Sequence, residues 1–204
     1  MQGAYDDGYE RCPCFWGRKP ARLVQKAAEL LSSGKGKTLD VGCGDGKNAS
    51  FLESLGFDVL AFDASPLAIS NARNAWPQSK NITWLVADLL TYEYGVCIYD
   101  LVVATGPLHC LATSDDVISS LRKIQMATRL GGYNVISVFN DRQQDFSGHK
   151  RSFSPILLSH SLFVDAYSQW KILEASDEDL VDEHPHTKTP HQHSITRLLT
   201  QRLL

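Results

Sequence analysis

Basic character is scarce in this chain. Lys and Arg number 20 against 23 Asp and Glu, a net charge of -3, so the positive footprint that broad contact with nucleic-acid phosphates requires is missing. No apolar run approaches the roughly 20 residues that span a bilayer, and Met1 to Glu10 is polar and acidic rather than a secretory signal. Neither a nucleic-acid nor a membrane partner is expected, and a cytoplasmic location is. The five cysteines, Cys12, Cys14, Cys43, Cys97 and Cys110, are odd in number and scattered, which is no disulfide framework. Cys12-Pro13-Cys14 lacks the two-residue spacer of a redox motif or zinc knuckle, and no metal is expected.

What the chain has is one α/β domain's worth of material. At 204 residues, 43% hydrophobic and 21% charged, it has an ordinary globular composition, enough for one full core and short for two. We expect a single domain over residues 1–204.

Its organising stretch is Thr38 to Asn48, Thr-Leu-Asp-Val-Gly-Cys-Gly-Asp-Gly-Lys-Asn. A short buried strand, Leu39 to Val41, enters a glycine turn and then a helix from about Lys47 to Leu55. Glycines at alternate positions, Gly42, Gly44 and Gly46, permit a tight turn that leaves room for a ligand. A dinucleotide fingerprint, G-x-G-x-x-G, needs its third glycine where Lys47 stands. Asp40 before the turn would repel a pyrophosphate and attract an ammonium group. Asp63 closes the next strand about twenty residues after the turn, where an acid accepts from ribose hydroxyls. An adenosine joined to an amino acid is S-adenosylmethionine.

The rest of the chain repeats the unit. Pro20 opens a helix with Leu23, Val24, Ala27, Leu30 and Leu31 on one face, ended by Gly34 and Gly36. Strands are expected at Val59 to Phe62, Ile82 to Ala87 and Leu101 to Ala104. A helix runs from Leu67 to Asn74 after Ser65-Pro66, and another carries Val117, Ile118, Leu121 and Ile124 and stops at Gly131-Gly132. Val135 to Phe139 is the fifth strand. Pro155 to Tyr167 reads as helix, and Trp170 to Ala175 and Ser194 to Leu203 read as strands, joined by an acidic and then histidine-rich connection, Ser176 to His193. Alternation of this kind implies a doubly wound, mostly parallel sheet, with the last strand pair as an antiparallel edge. Residues 1–19, with Tyr5, Tyr9, Phe15 and Trp16 in a polar background, are expected to fold back as a lid.

The order of strand, Gly-x-Gly-x-Gly, helix, strand ending in Asp63 and strand ending in Asp88 resembles the class I S-adenosylmethionine-dependent methyltransferases over nearly the whole chain. Gly44-Asp45-Gly46-Lys47-Asn48, with Gly131-Gly132-Tyr133-Asn134, is more specifically similar to their tellurite-resistance branch. Phe15-Trp16-Gly17 resembles members whose N-terminal aromatics cover the cofactor. The resemblance implies a Rossmann-like seven-stranded sheet with an antiparallel last strand. It implies S-adenosylmethionine as cofactor and S-adenosylhomocysteine as product. The methionine end would lie near Asp40, Gly42, Gly44 and Asn48, the ribose at Asp63, and the adenine beside Asp88 and Leu89. Thr105 and Leu108 would line the methyl-donor side, and Trp16 would lie against the sulfonium, a cation–π contact.

That branch also implies substrate-facing residues, here Asp141 and His184. Pro185 stands where the branch has an arginine, which removes a guanidinium fork for an oxyanion. His186 or Arg142 is the nearest source of replacement charge. Should the acceptor have to lose a proton, Asp141, His184 and His109 are the candidate bases. Thr105-Gly106-Pro107-Leu108 does not resemble the Asn-Pro-Pro-Tyr signature that holds a flipped base, so the expected acceptor is a small molecule, a thiol or a chalcogen oxyanion such as tellurite or selenite. Two other readings stand beside this one: a non-catalytic S-adenosylmethionine sensor or scaffold, and a nicotinamide-dependent oxidoreductase. Nothing in the sequence fixes the oligomeric state.

Overall fold

The computed structural model describes residues 5–31, 35–149, 153–182 and 190–204. Thirteen regular elements are organised on one seven-stranded sheet. In chain order they are α1 (Asp6–Arg11), α2 (Arg22–Leu30), β1 (Lys37–Val41), α3 (Lys47–Ser54), β2 (Asp58–Asp63), α4 (Pro66–Ala75), β3 (Ile82–Val86), β4 (Tyr99–Thr105), α5 (Ser114–Ala127), β5 (Thr128–Gln144), α6 (His160–Ala166), β6 (Lys171–Asp182) and β7 (His191–Gln201); a 3₁₀ turn, Leu108–Cys110, follows β4. The strand order is β3-β2-β1-β4-β5-β7-β6. β1 to β5 are parallel, and β7 runs antiparallel to both its neighbours.

Alternation of side chains along the central strands builds two cores. Leu39, Val41, Val102, Ala104, Ile136 and Val138 point to the face covered by Val117, Leu121 and Ile124 of α5 and Phe163 of α6. Val59, Ala61, Leu101, Val103 and Val135 point to the opposite face, covered by Leu23, Val24 and Ala27 of α2, Leu52 of α3 and Ile69 of α4. Burial on both faces is why Leu101 to Ala104 of β4 is a continuous apolar run rather than an alternating one. The chain steps outward from β1 to β3 and then restarts at β4 on the other side of β1. The ends of β1 and β4 therefore form a switch point, the place where open α/β sheets leave a crevice for ligands.

The expected order of elements is the observed one, with four local corrections. α2 starts at Arg22, with Ala21 as its N-cap, and Ala28 rather than Leu30 shares its buried face; Leu30 is exposed. α5 ends at Ala127, ahead of Gly131-Gly132, and those glycines lie inside β5: a Cβ at Gly132 would come within 2.9 Å of the Asp100 carbonyl on β4. Residues 155–159 are not helical. Ile156 donates its N–H to the His109 carbonyl, and the Ser159 hydroxyl caps Leu162 to start α6. β6 runs on through the acidic stretch that reads as a connection, because Arg142 pairs with Asp177 and Asp179, and Arg197 pairs with Glu178. Cross-strand charge pairing turned a solvated-looking segment into strand.

Candidate active site

A cavity of about 490 Å³ occupies the switch point. Its floor is the turn after β1, where Gly42, Gly44 and Gly46 all take positive φ angles of 64°, 55° and 82°. A side chain at Gly42 would meet Pro107, and one at Gly44 would meet the Tyr9 hydroxyl and the Trp16 ring. The glycines are thus required twice, for the left-handed backbone and for close approach. Asp63, at the end of β2, braces this turn: one carboxylate oxygen accepts the Gly44 N–H at 2.9 Å and the other accepts the Ser65 N–H at 2.9 Å. Burial raises its pKa, and the two backbone donors oppose that shift.

The wall opposite is made by the turn after β4. Asn48 reaches it from α3, accepting the Ala21 N–H at 2.9 Å and donating to the Thr105 hydroxyl at 3.0 Å. One side chain so joins the starts of α2 and α3 to the end of β4. The 3₁₀ turn sends His109 and Cys110 to the cavity and Leu108 away from it. Leu108 is fully buried in the α5-side core, which corrects its expected place on the cavity wall.

The N-terminal segment forms the roof. Tyr5, Asp6, Tyr9 and Trp16 all line the cavity. The Asp45 carboxylate accepts the Trp16 backbone N–H at 2.9 Å, the Trp16 indole donates to the Tyr9 hydroxyl at 3.0 Å, and Lys47 donates to the Trp16 carbonyl. Asp6 accepts from the Ser65 hydroxyl, and Asn71 of α4 holds the Tyr9 carbonyl. The roof is therefore tied to the same turn and helix that make the floor.

His109 lies where roof and wall meet. Its Nδ1 accepts the Phe139 N–H at 3.2 Å, which places its proton on Nε2, and Nε2 lies 3.1 Å from the Tyr5 hydroxyl. Burial, with His193 adding to it, pushes its pKa down to about 3, so the ring is neutral at physiological pH. Both ring nitrogens are engaged, and neither offers a lone pair to an acceptor molecule.

Of the residues singled out in the sequence, Trp16, Gly42, Gly44, Asn48, Asp63, Leu89, Thr105 and His109 line the cavity. Asp40, Asp88, Leu108 and Asp141 do not. Asp40 is fully buried under the turn with neither oxygen in a well-formed hydrogen bond. Burial pushes its pKa up to about 7, and the nearby Ala49 N–H only partly compensates. Asp88 accepts the Leu90 N–H at 2.8 Å, and the intervening Leu89 lines the cavity. Asp141 is exposed on β5, and its neighbour Arg142 is committed to β6. His184, Pro185 and His186 lie outside the described residues. Sequence reading missed Arg197 and Ser137, which reach the cavity from β7 and β5; neither belongs to a motif, and only strand pairing brings them to the site.

The family described as tellurite resistance protein TehB matches residues 19–194. The chain is 36% identical to hemagglutinin 1 of Eikenella corrodens over 105 residues, 49% of this chain and 33% of that protein. It is 32% identical over 114 residues to the probable S-adenosyl-L-methionine-dependent methyltransferase TehB of Haemophilus influenzae, 55% of this chain and 38% of that protein. The chain thus spans well under half the length of these curated relatives. The crystal structure of TehB from Haemophilus influenzae superposes with a TM-score of 0.72 at 21% identity, covering 88% of this chain and 61% of that one, and shares its fold. With a match running from residue 19 to residue 194, well over half of its length, the chain belongs to the TehB family.

Proposed function

We propose that this chain binds S-adenosylmethionine in the switch-point cavity and transfers its methyl group to a small nucleophile. The observation that carries the reading is the left-handed Gly42–Gly46 turn, held by Asp63 and roofed by Trp16 and Tyr9. The cavity volume suits a ligand of nucleoside size. Asp63 retains acceptor capacity for ribose hydroxyls beyond its two backbone bonds, and Leu89 offers an apolar surface to adenine with Asp88 adjoining. Gly42 and Gly44 clear space for the amino-acid end; Asp40 acts beneath it through the turn, and Asn48 and Thr105 fix its wall. One curated relative is named hemagglutinin 1, and the Haemophilus influenzae relative is named a probable S-adenosyl-L-methionine-dependent methyltransferase; the latter name favours turnover over a sensor or scaffold role and leaves the oxidoreductase reading without support.

The bound cofactor supplies a methyl group already activated by its sulfonium. The chain's task is alignment of the acceptor and exclusion of water, and alignment alone accounts for several kcal/mol of such a barrier. Trp16 and Tyr5 close the roof over the site. His109, neutral and doubly hydrogen-bonded, positions Tyr5 rather than taking a proton. On the acceptor side, Arg197 brings a guanidinium to the cavity, paired with Glu178. That guanidinium suits a chalcogen oxyanion such as tellurite or selenite, whereas a neutral thiol makes no demand on it, and it supplies the cation that Pro185 does not.

The test is calorimetric titration with S-adenosylmethionine, S-adenosylhomocysteine and NAD, followed by turnover with thiol, selenite and tellurite acceptors. Micromolar binding of the first two and methyl transfer to one acceptor class is the expected result. Binding of NAD alone, or of none, overturns it.

A further inference from the structure

A second cluster lies beside the cavity wall, where β5 ends and β7 begins. His191 and His193 are two residues apart on β7 and share its buried side, and His149 closes over them from the turn that follows β5. One nitrogen of each ring can be chosen so that all three lie within 4.8 Å of one another. His149 Nε2 and His193 Nε2 are 3.1 Å apart. Tetrahedral zinc with nitrogen ligands at about 2.0–2.1 Å sets neighbouring nitrogens about 3.4 Å apart. One pair is already near that spacing, and nitrogens at the 4.8 Å limit would have to approach by about 1.4 Å.

From this arrangement we infer that His149, His191 and His193 form a binding site for a divalent transition-metal ion of the zinc type, one that fastens the turn after β5 to β7. Three neutral imidazoles without a carboxylate among them select borderline-soft ions over magnesium or calcium. The surroundings hold the rings as ligands are held. The Gln144 amide nitrogen donates to the Asn140 and Ser194 carbonyls at 2.7 and 2.8 Å, so its oxygen faces His193 Nδ1 at 2.8 Å as an acceptor. His193 must then carry its proton on Nδ1 and present the Nε2 lone pair to the cluster, the orientation a second hydrogen bond imposes on metal-binding histidines. Without an ion, His149 Nε2 donates to His193 Nε2; for an ion to bind, that proton moves to His149 Nδ1 by tautomerisation, which leaves both Nε2 lone pairs to the ion.

Packing adds rigidity and dryness. His193 stacks on Phe139 at 4.3 Å, His149 stacks on Phe153 at 4.6 Å, and Phe146 lies within 5.6 Å of both. Gly148 is required for this closeness, since a Cβ there would fall 2.5 Å from His191 Nδ1. The turn is also pinned by the Asp145 N–H on the Gln192 carbonyl and the His149 N–H on the Phe146 carbonyl. His149 is half-buried and gives the ion a route in.

The three histidines do not line the cavity, but two of its lining rings touch them, Phe139 against His193 and Tyr5 against His149. His109 stacks on Phe139 at 4.1 Å, and a ring face holds one partner at that spacing, so His109 and His193 occupy opposite faces of Phe139. A bound ion would therefore stiffen the wall that carries His109 and, through it, Tyr5 of the roof. The role is structural: the ion touches no acceptor and takes no part in the chemistry.

The experiment is zinc titration of the chelator-stripped full chain by calorimetry against a competing chelator, with melting curves at each step, on wild type, His149→Ala, His193→Gln and Cys12→Ser/Cys14→Ser. One ion per chain, a melting temperature that rises with zinc, and loss of both effects in the two histidine variants but not in the cysteine variant is the expected result. Should His193→Gln fail to fold, His149→Ala at the rim of the turn carries the comparison. Zinc X-ray absorption on wild type should show nitrogen or oxygen neighbours at about 2.0–2.1 Å and no sulfur near about 2.3 Å. Absence of binding in wild type, binding retained without His149, or a sulfur shell overturns the inference.

Discussion

Asp63 holds Gly44: the carboxylate at the end of β2 accepts the N–H of the middle glycine in the turn after β1, at 2.9 Å. A residue that reads in sequence as a ligand-facing acid is first of all the brace of the ligand-facing turn. Position and function are therefore coupled in one side chain, and variants at Asp63 separate them.

Asp63→Asn keeps one acceptor oxygen for a backbone donor and removes the charge. A hydrogen bond to a charged group contributes about 1.5–3 kcal/mol, so S-adenosylmethionine affinity should fall at least about tenfold while the fold persists. Asp63→Ala removes the brace as well, and should lower the melting temperature in addition. Calorimetry and thermal melts on both variants check this; equal affinity for wild type and Asp63→Asn would remove Asp63 from the binding role.

Gly44→Ala places a methyl group at φ 55°, within about 3 Å of the Tyr9 hydroxyl and the Trp16 ring. Left-handed strain costs about 1–2 kcal/mol, and the roof must shift as well. Weakened cofactor binding should accompany an increase in tryptophan accessibility, read by quenching of fluorescence.

Asp40 gives the fold a cost that grows with pH. Its pKa is about 7 in the folded chain and about 3.9 unfolded, so between these values the folded state binds the extra proton and stability falls as pH rises. The full cost, at most about 4 kcal/mol from the three-unit shift, is present above pH 7. Asp40→Asn should melt higher than wild type at pH 8 and about equally at pH 4. Denaturant unfolding at the two pH values decides it.

His109 acts in the opposite sense. Its pKa is lowered to about 3 from about 6.5, so as pH falls below 6.5 the unfolded chain takes up a proton that the folded chain refuses. Stability is complete above pH 6.5 and is lost toward pH 3. His109→Gln, which can still accept from Phe139 and donate to Tyr5, should flatten that acid limb in a pH series of melts; an unchanged limb would place the acid sensitivity elsewhere.

Arg197→Met removes the guanidinium from the cavity and leaves Glu178 unpaired on the surface strand. If the acceptor is an oxyanion, its KM should rise at least about tenfold with little change for a neutral thiol, given the energy of a charge-assisted bond. Steady-state kinetics with both acceptor classes distinguishes them.

Local chemistry made much of this legible. The turn from Gly42 to Gly46 is visible in sequence because left-handed backbone demands glycine, and β4 because its centre, Leu101 to Ala104, is covered on both faces and so is continuously apolar. Asp63 and Thr105 line the cavity because they are the last residues of β2 and β4, at the end of the sheet where the cavity lies. Leu108 was misplaced because a single 3₁₀ turn decides which of three consecutive side chains faces the cavity. β6 was read too short because Asp177, Glu178 and Asp179 in its second half pair with Arg142 on β5 and Arg197 on β7.

The sequence by itself determined the alternation of elements, the glycine turn and the acids at the strand ends, since each depends on residues adjacent in the chain. Only the tertiary structure decided that Asp40 is sealed beneath the site, that Arg197 reaches it, and that His149 meets His191 and His193. Those outcomes depend on strand register and on the docking of one loop over another, contacts between residues tens of positions apart, which no local pattern encodes.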